Sequence, residues 1–241
     1  MIRGVFFDAG NTLLFPDYDI YRGICAKLGV GVTHEQTVRA EAAARSAFDA
    51  AVASSPGAEV HGFWPVYYTP FYEILGVPQE TIPDAIELTR NANDEGLGIW
   101  KIPAEELDWT LDELSRRDIV VGIISNSDGR LEWRLDQLGI LARFEFVIDS
   151  AVVGASKPNP EIFRDALRRS SLRSDQTIYV GDYYEVDVIG ARSAGILPVL
   201  LDPVMAYENV DCRVITRLRD LLPLVDVINE GGGAARRESA G

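Results

Sequence analysis

Val5-Phe6-Phe7-Asp8-Ala9-Gly10-Asn11-Thr12-Leu13-Leu14 decides how the rest of the chain is read. Three bulky apolar residues in a row suit a strand buried on both faces, and the run stops abruptly at an acid. A carboxylate there resists leaving water unless a cation, a metal or a set of donors faces it. Gly10 matters as much as Asp8, because it offers a carbonyl but neither a charge nor a proton.

Working outward, similar short runs recur at Ile119–Ile124, Phe146–Ile148, Ile178–Val180, Leu197–Leu201 and Arg213–Ile215. Helical patterns alternate with them over Pro103–Arg117, Gly129–Leu138, Pro160–Ser170, Glu185–Ala194 and Arg217–Val227. Apolar strands alternating with helices predict an α/β fold, a parallel sheet covered on both faces, with its site at the carboxyl ends of the strands. Residues 16–100 break the alternation and show helical periodicity with no convincing strand. Thr33 and Gln36 form a capping-box pattern ahead of an Ala-rich helix to about Ala53, which Pro56-Gly57 ends. Aromatic Phe63-Trp64-Pro65-Val66-Tyr67-Tyr68 follows, and Pro78 and Pro83 punctuate a further helical pair. The expected organisation is a core of residues 1–15 and 101–229, an all-helical insertion over 16–100, and a Gly/Ala-rich disordered tail over 230–241.

The 241 residues, 47% hydrophobic and 25% charged, have the composition of a soluble globular protein. A net charge of −14 disfavours nucleic acid and anionic membranes as partners. No apolar stretch is long enough to span a bilayer, and Asp8 interrupts the N-terminal apolar run too early for a signal peptide. The two cysteines, Cys25 and Cys212, are expected as reduced thiols, which suits the cytoplasm.

Four strand ends carry polar residues. They are Asp8 with Thr12, Ser125-Asn126, Lys157 within Lys157-Pro158-Asn159-Pro160, and Gly181-Asp182…Asp187. Each alone has a plain reading: a helix cap for Asp8, Ser125 or the Asp182/Asp187 pair, a solvated charge for Lys157. Together, in this order, they suit phosphoryl transfer. Asp8 can attack phosphorus and form an acyl-phosphate. A hard divalent cation held by Asp8, a backbone carbonyl and Asp182 would neutralise charge, as Mg²⁺ does on oxygen ligands. Lys157 would screen Asp8 from an incoming anion, and the Ser125 hydroxyl would donate to a phosphoryl oxygen.

These four segments, with Val188-Ile189-Gly190-Ala191…Ala194-Gly195 behind them, resemble the motifs of the haloacid dehalogenase-like superfamily. The resemblance implies a Rossmann-like three-layer core with Asp8 as nucleophile and a C1-type helical cap closing over the site. It implies Mg²⁺ bound by Asp8, the Gly10 carbonyl and Asp182, with Asp187 helping through water, and phosphate bound by Thr12, Ser125, Asn126 and Lys157. The substrate it implies is a small phosphorylated metabolite; whether the chain is a monomer or homodimer is left open.

Two residues depart from the pattern: Gly10 stands where phosphatases of this superfamily carry a second, acid–base Asp, and bulky Tyr183 follows Asp182. Gly10 keeps rival readings open. One is a metal-independent 2-haloacid dehalogenase, although that branch typically loses the acid at position 182. A second is a phosphonate hydrolase with Lys27 as Schiff-base lysine. A third is a binding protein with a degenerate site. His34, His61, Asp17 and Asp19 are candidates to replace the acid. Trp64, Tyr67 and Tyr68 read as core of the insertion.

Overall fold

The computed structural model describes residues 1–54 and 63–238, apart from the side chains of Phe63 and of 231–238. In chain order the elements are β1 Gly4–Phe7, β2 Leu14–Pro16, α1 Tyr18–Lys27, α2 His34–Ser54, α3 Phe63–Ile74, α4 Ile82–Asp94 and β3 Trp100–Pro103. Then come α5 Leu107–Arg116, β4 Val120–Ser125, α6 Leu131–Gln137, β5 Phe146–Asp149, α7 Ser150–Val153 and α8 Pro160–Ser170. The chain ends with β6 Thr177–Gly181, a π turn at Tyr184–Val188, α9 Ile189–Ser193, β7 Leu197–Leu201, β8 Arg213–Ile215 and α10 Leu221–Glu238.

Six strands form one parallel sheet in the order β5-β4-β1-β6-β7-β8. Successive side chains of a strand point to opposite faces, so each face has its own core. Val5 and Phe7 of β1 pack with Val121, Ile123, Ile178 and Val180 against Leu111 of α5, Leu135 of α6 and Leu221 of α10. Phe6 points the other way and joins Ile124, Phe146 and Tyr179 against Ile162 and Phe163 of α8 and Ala191 of α9. This is the three-layer Rossmann-like α/β arrangement expected from the sequence.

The chain divides into two compact units, residues 1–14, 103–205 and 210–241 in one and residues 15–102 and 206–209 in the other. In the second, α2 packs on α1 and α3, and α4 packs on α1 and α3. Thr33 and Gln36 form the capping box: the Thr33 amide donates to Gln36 Oε1 at 2.8 Å and the Gln36 amide to Thr33 Oγ1 at 3.2 Å. Pro56-Gly57, expected to end α2, lies outside the described residues. Tyr67 and Tyr68 are buried and Trp64 stacks on Tyr68.

The insertion is not purely helical. β2 and β3 pair as a two-stranded sheet where the chain passes between units. Leu14-Phe15-Pro16 and Trp100-Lys101-Ile102-Pro103 are too short to show alternation, and each ends in Pro, a residue that reads as a break.

The end of the chain also differs, because α10 continues to Glu238 where a disordered tail was expected from residue 230. Buried Leu221, Leu222 and Val225 anchor its first turns. Once a helix is nucleated, each added residue gains a hydrogen bond. Residues 239–241 lie outside the described part.

Both cysteines are free, and burial pushes the Cys25 thiol up to about 11. Among the described residues no helix is long and apolar enough to cross a membrane.

Candidate active site

β1 lies between β4 and β6, so the connections on its two sides run in opposite directions, and the carboxyl ends of strands at such a switch point are where open parallel sheets place their sites. Asp8 follows β1 directly, Ser125 ends β4, and Asp182 follows β6. Lys157 reaches the same point from the segment ahead of α8, and Asp187 from the π turn. All five are buried. Lys157 is only 2% exposed, which excludes a solvated lysine.

The lysine ammonium sits at the centre. Its Nζ donates to Asp8 Oδ1 at 2.6 Å, to Asp187 Oδ1 at 2.7 Å and to the Tyr179 hydroxyl at 2.9 Å. Burial lifts the Asp8 carboxyl above its ordinary range and outweighs the downward pull of Lys157; the neighbouring Asp187 adds to the rise. The Ser125 hydroxyl pulls the same carboxyl downward, as Lys157 does. Burial works against the charge on Lys157, yet Asp187 and Asp8 beside it hold its pKa above the usual lysine value. The Tyr179 phenol is held well above the usual tyrosine value, first by burial and then by Asp187 and Asp8, so it stays protonated.

The local sequence explains how Asp187 arrives there. A Cβ at Gly181 would collide with the Asp187 carboxyl group, so only glycine lets the acid fold back over the end of β6. The Tyr183 amide donates to Asp187 Oδ2 at 3.0 Å, and the Val188 amide to the Tyr183 carbonyl at 3.2 Å, a π-type step of the kind found at functional sites. Tyr183, the bulky departure from the family pattern, therefore serves the site through its backbone.

Asn126, expected among the phosphate binders, engages both ends of its amide with the backbone of Lys157. Its Nδ2 donates to the Lys157 carbonyl at 2.9 Å, and the Lys157 amide donates to its Oδ1 at 2.8 Å. The side chain thus fixes the segment that carries the lysine. Thr12 is fully buried, and its Oγ1 has no hydrogen-bond partner. Gly10 lies in the turn after β1, where the Asn11 amide donates to the Leu14 carbonyl at 2.8 Å.

Two contributors were not foreseen. Asp149 stands beside Ser125 in the β4–β5 register, and it accepts from the amides of Gly129 at 2.9 Å, Leu131 at 3.3 Å and Ala151 at 3.0 Å. It ties down the loop that follows Ser125-Asn126. Tyr179 reads in sequence as one more apolar strand residue; the signal for it was a hydroxyl on a strand with no solvent face, since a buried phenol needs a partner.

Asp8, Asp182 and Asp187 each offer an oxygen, and these oxygens lie within 4.8 Å of one another. Three buried carboxylates this close together repel one another, and hard oxygen donors are the set that suits Mg²⁺. The residues present fit such an ion.

The candidate replacement acids sit in the helical unit. Asp17 accepts from the Asp19 amide at 3.1 Å as the N-cap of α1 and pairs with Lys101 at 3.1 Å. Asp19 pairs with Arg22 at 2.6 Å in solvent, and His34 lies edge-on to Tyr18 with ring centres 5.1 Å apart. Lys27 is exposed in the last turn of α1. His61 lies outside the described residues.

A family model described as haloacid dehalogenase-like hydrolase matches residues 2–195. The haloacid dehalogenase-like hydrolase domain-containing protein 3 of Mus musculus is 29% identical over 205 residues, 82% of this chain and 80% of its own length. A glyceraldehyde 3-phosphate phosphatase of Methanothermobacter thermautotrophicus is 36% identical over 103 residues, 42% of this chain and 46% of its own length. Among solved structures, the HAD-hydrolase YfnB of Bacillus subtilis superposes with a TM-score of 0.66 at 17% identity. That match covers 92% of this chain and 98% of the other, a likeness of fold.

Proposed function

The chain belongs to the haloacid dehalogenase-like hydrolase family, and from that premise we propose that it is a Mg²⁺-dependent phosphohydrolase acting on a small phosphorylated metabolite through a phosphorylated Asp8. One observation carries the reading: oxygens of three buried acids gather at the carboxyl ends of the central strands, and one buried ammonium pairs with two of those acids, Asp8 and Asp187. A dehalogenase has no use for surplus carboxylates, whereas a phosphatase needs them to hold a cation. The archaeal relative named as a phosphatase supports the same chemistry.

In the first step a carboxylate oxygen of Asp8 attacks phosphorus and forms an O–P bond while the ester O–P bond breaks, its electron pair leaving with the alcohol oxygen. Lys157 favours the ionised form of Asp8 and offsets the charge of the incoming phosphate, and the Ser125 hydroxyl donates to a phosphoryl oxygen. Thr12, with its unpartnered buried hydroxyl, supplies a second such contact. In the second step water attacks phosphorus, one of its protons staying on the phosphate and the other passing to solvent, while the Asp8–phosphate bond breaks with its electron pair on the Asp8 carboxylate and inorganic phosphate leaves. Asp8, the Gly10 carbonyl, Asp182 and Asp187 would hold Mg²⁺, which would supply charge neutralisation and phosphate orientation.

Gly10 has no side chain to protonate the leaving oxygen. Aryl and acyl phosphates, whose leaving groups need little protonation, are therefore expected to turn over faster than alkyl phosphates. Gly10→Asp is expected to raise turnover of poor leaving groups more than of good ones. Two free cysteines suit the cytoplasm as the setting.

The test is one purified sample offered aryl phosphates, acyl phosphates and 2-haloacids, with and without a chelator. Phosphate release abolished by the chelator is the expected result. Halide release indifferent to the chelator would transfer the chain to the dehalogenases, and neither product at high Mg²⁺ would make it a binding protein.

A further inference from the structure

Lys157 has three N–H donors and all three are taken: Asp8, Asp187 and the hydroxyl of Tyr179. Two of these acceptors are carboxylates. The third is neutral and stands on a buried strand where Phe would pack as well. Its ring meets Phe163 edge-on, with centres 5.0 Å apart and planes at 84°. A buried hydroxyl costs free energy unless it is hydrogen-bonded, and this one has three polar neighbours. It accepts from Lys157, and its single proton faces the Ile124 carbonyl at 3.0 Å and Asp187 Oδ1 at 3.1 Å. Tyr179 thus links the ends of β4 and β6 to the ammonium between them.

We propose that Tyr179 is a positioning residue for Lys157, its phenol oxygen and Asp187 together fixing the ammonium against the Asp8 carboxylate. The proposal deepens the phosphohydrolase reading and rests on it for its kinetic consequence. Once Asp8 is esterified to phosphorus, its hold on Lys157 changes. The contacts to Tyr179 and Asp187 do not involve the reacting atoms, so they keep the ammonium in place through both halves of the reaction. A lysine side chain with four rotatable carbon links does not hold such a position alone.

The chain has three lysines, Lys27, Lys101 and Lys157, and only Lys157 is buried. Side-chain ¹⁵N labelling of lysine therefore reads the proposal apart from activity. The wild-type chain is expected to give one ammonium cross peak protected from exchange with water, and Lys157→Met assigns it by removing it. Tyr179→Phe deletes one oxygen and keeps the ring. It is expected to shift or broaden that peak and to lower kcat for an aryl phosphate about tenfold to a hundredfold, with KM within about twofold.

An unmoved peak with unchanged kcat, even in a protein of lower melting temperature, would overturn the proposal and leave Tyr179 a packing residue. If the wild-type chain releases no phosphate, the phosphohydrolase reading fails, and the cross peak alone decides the positioning claim. Should Tyr179→Phe not fold, a crystal structure of the wild-type chain decides. An Nζ–hydroxyl separation near about 3 Å supports the proposal, and one beyond about 4 Å overturns it.

Discussion

In the α/β core, a lysine and three aspartates converge from separate strand ends, with Lys157 and Asp8 standing 149 positions apart in the chain. In the helical unit, Glu41, Arg45 and Asp49 lie buried on one face of α2 at four-residue spacing. There Glu41 pairs with Arg45 at 3.3 Å and accepts from the Tyr67 hydroxyl at 2.8 Å. The three charged groups of the helical cluster are aligned by successive turns of one helix, so their spacing is set when that helix forms. The core cluster exists only once β1, β4 and β6 are in register. It also brings oxygens of three acids within 4.8 Å of one another, a set of hard donors that suits a cation. Burial of charge marks both places, but of the two only the core cluster brings three carboxylate oxygens within 4.8 Å of one another, at the end of a sheet.

The largest expected effect separates chemistry from packing. Asp8→Asn keeps the size of the side chain and removes the nucleophile, so phosphate release should fall by about 10⁴-fold or more while the melting temperature changes little. A rate drop below about tenfold would move the nucleophile elsewhere.

Next comes a matched pair of cation deletions. Lys157→Met and Arg45→Met each leave buried acids without their cation and should each cost roughly 3–5 kcal/mol in denaturant unfolding. They should differ in function, because the folded fraction of Arg45→Met retains hydrolysis of a small aryl phosphate within about threefold, whereas Lys157→Met loses it. Equal functional losses would erase the distinction drawn here.

Gly181→Ala is a smaller perturbation. It forces the Asp187 carboxyl aside, and a cost of about 1–3 kcal/mol from overpacking should accompany a rate loss of roughly tenfold. The smallest change is Thr33→Ala, which opens the capping box of α2 at about 1 kcal/mol with no effect on the site. Thermal melts and initial rates on the same samples check both.

The sheet and the acids were legible because their signals are local and stereotyped. Val5-Phe6-Phe7-Asp8 and Ile178–Asp182 each put an apolar run directly before an acid, and β7 and β8 were read to the residue. Asp149 and Tyr179 were not read as site residues, because their roles depend on neighbours in the folded sheet: Asp149 on the loop across from it, Tyr179 on three groups from other elements. Asn126 shows the same limit, since the pairing of its amide with the Lys157 backbone depends on a segment 31 positions away in the chain. The β2–β3 pair escaped for another reason, as two short runs ending in proline contain no period to detect. The helix through Glu238 was hidden by composition, because the Gly-rich segment masks how far an anchored helix can propagate.

The central claim is that Asp8 becomes covalently phosphorylated, and the most direct test is to trap that state. The protein is mixed with an acyl phosphate and Mg²⁺, quenched in acid and digested, and the phosphorylated residue is located by mass spectrometry. Phosphate is expected on Asp8, labile to hydroxylamine as an acyl-phosphate is, and absent in Asp8→Asn. Steady phosphate release from an enzyme whose Asp8 peptide never carries phosphate, at any quench time within the first turnover, would contradict it.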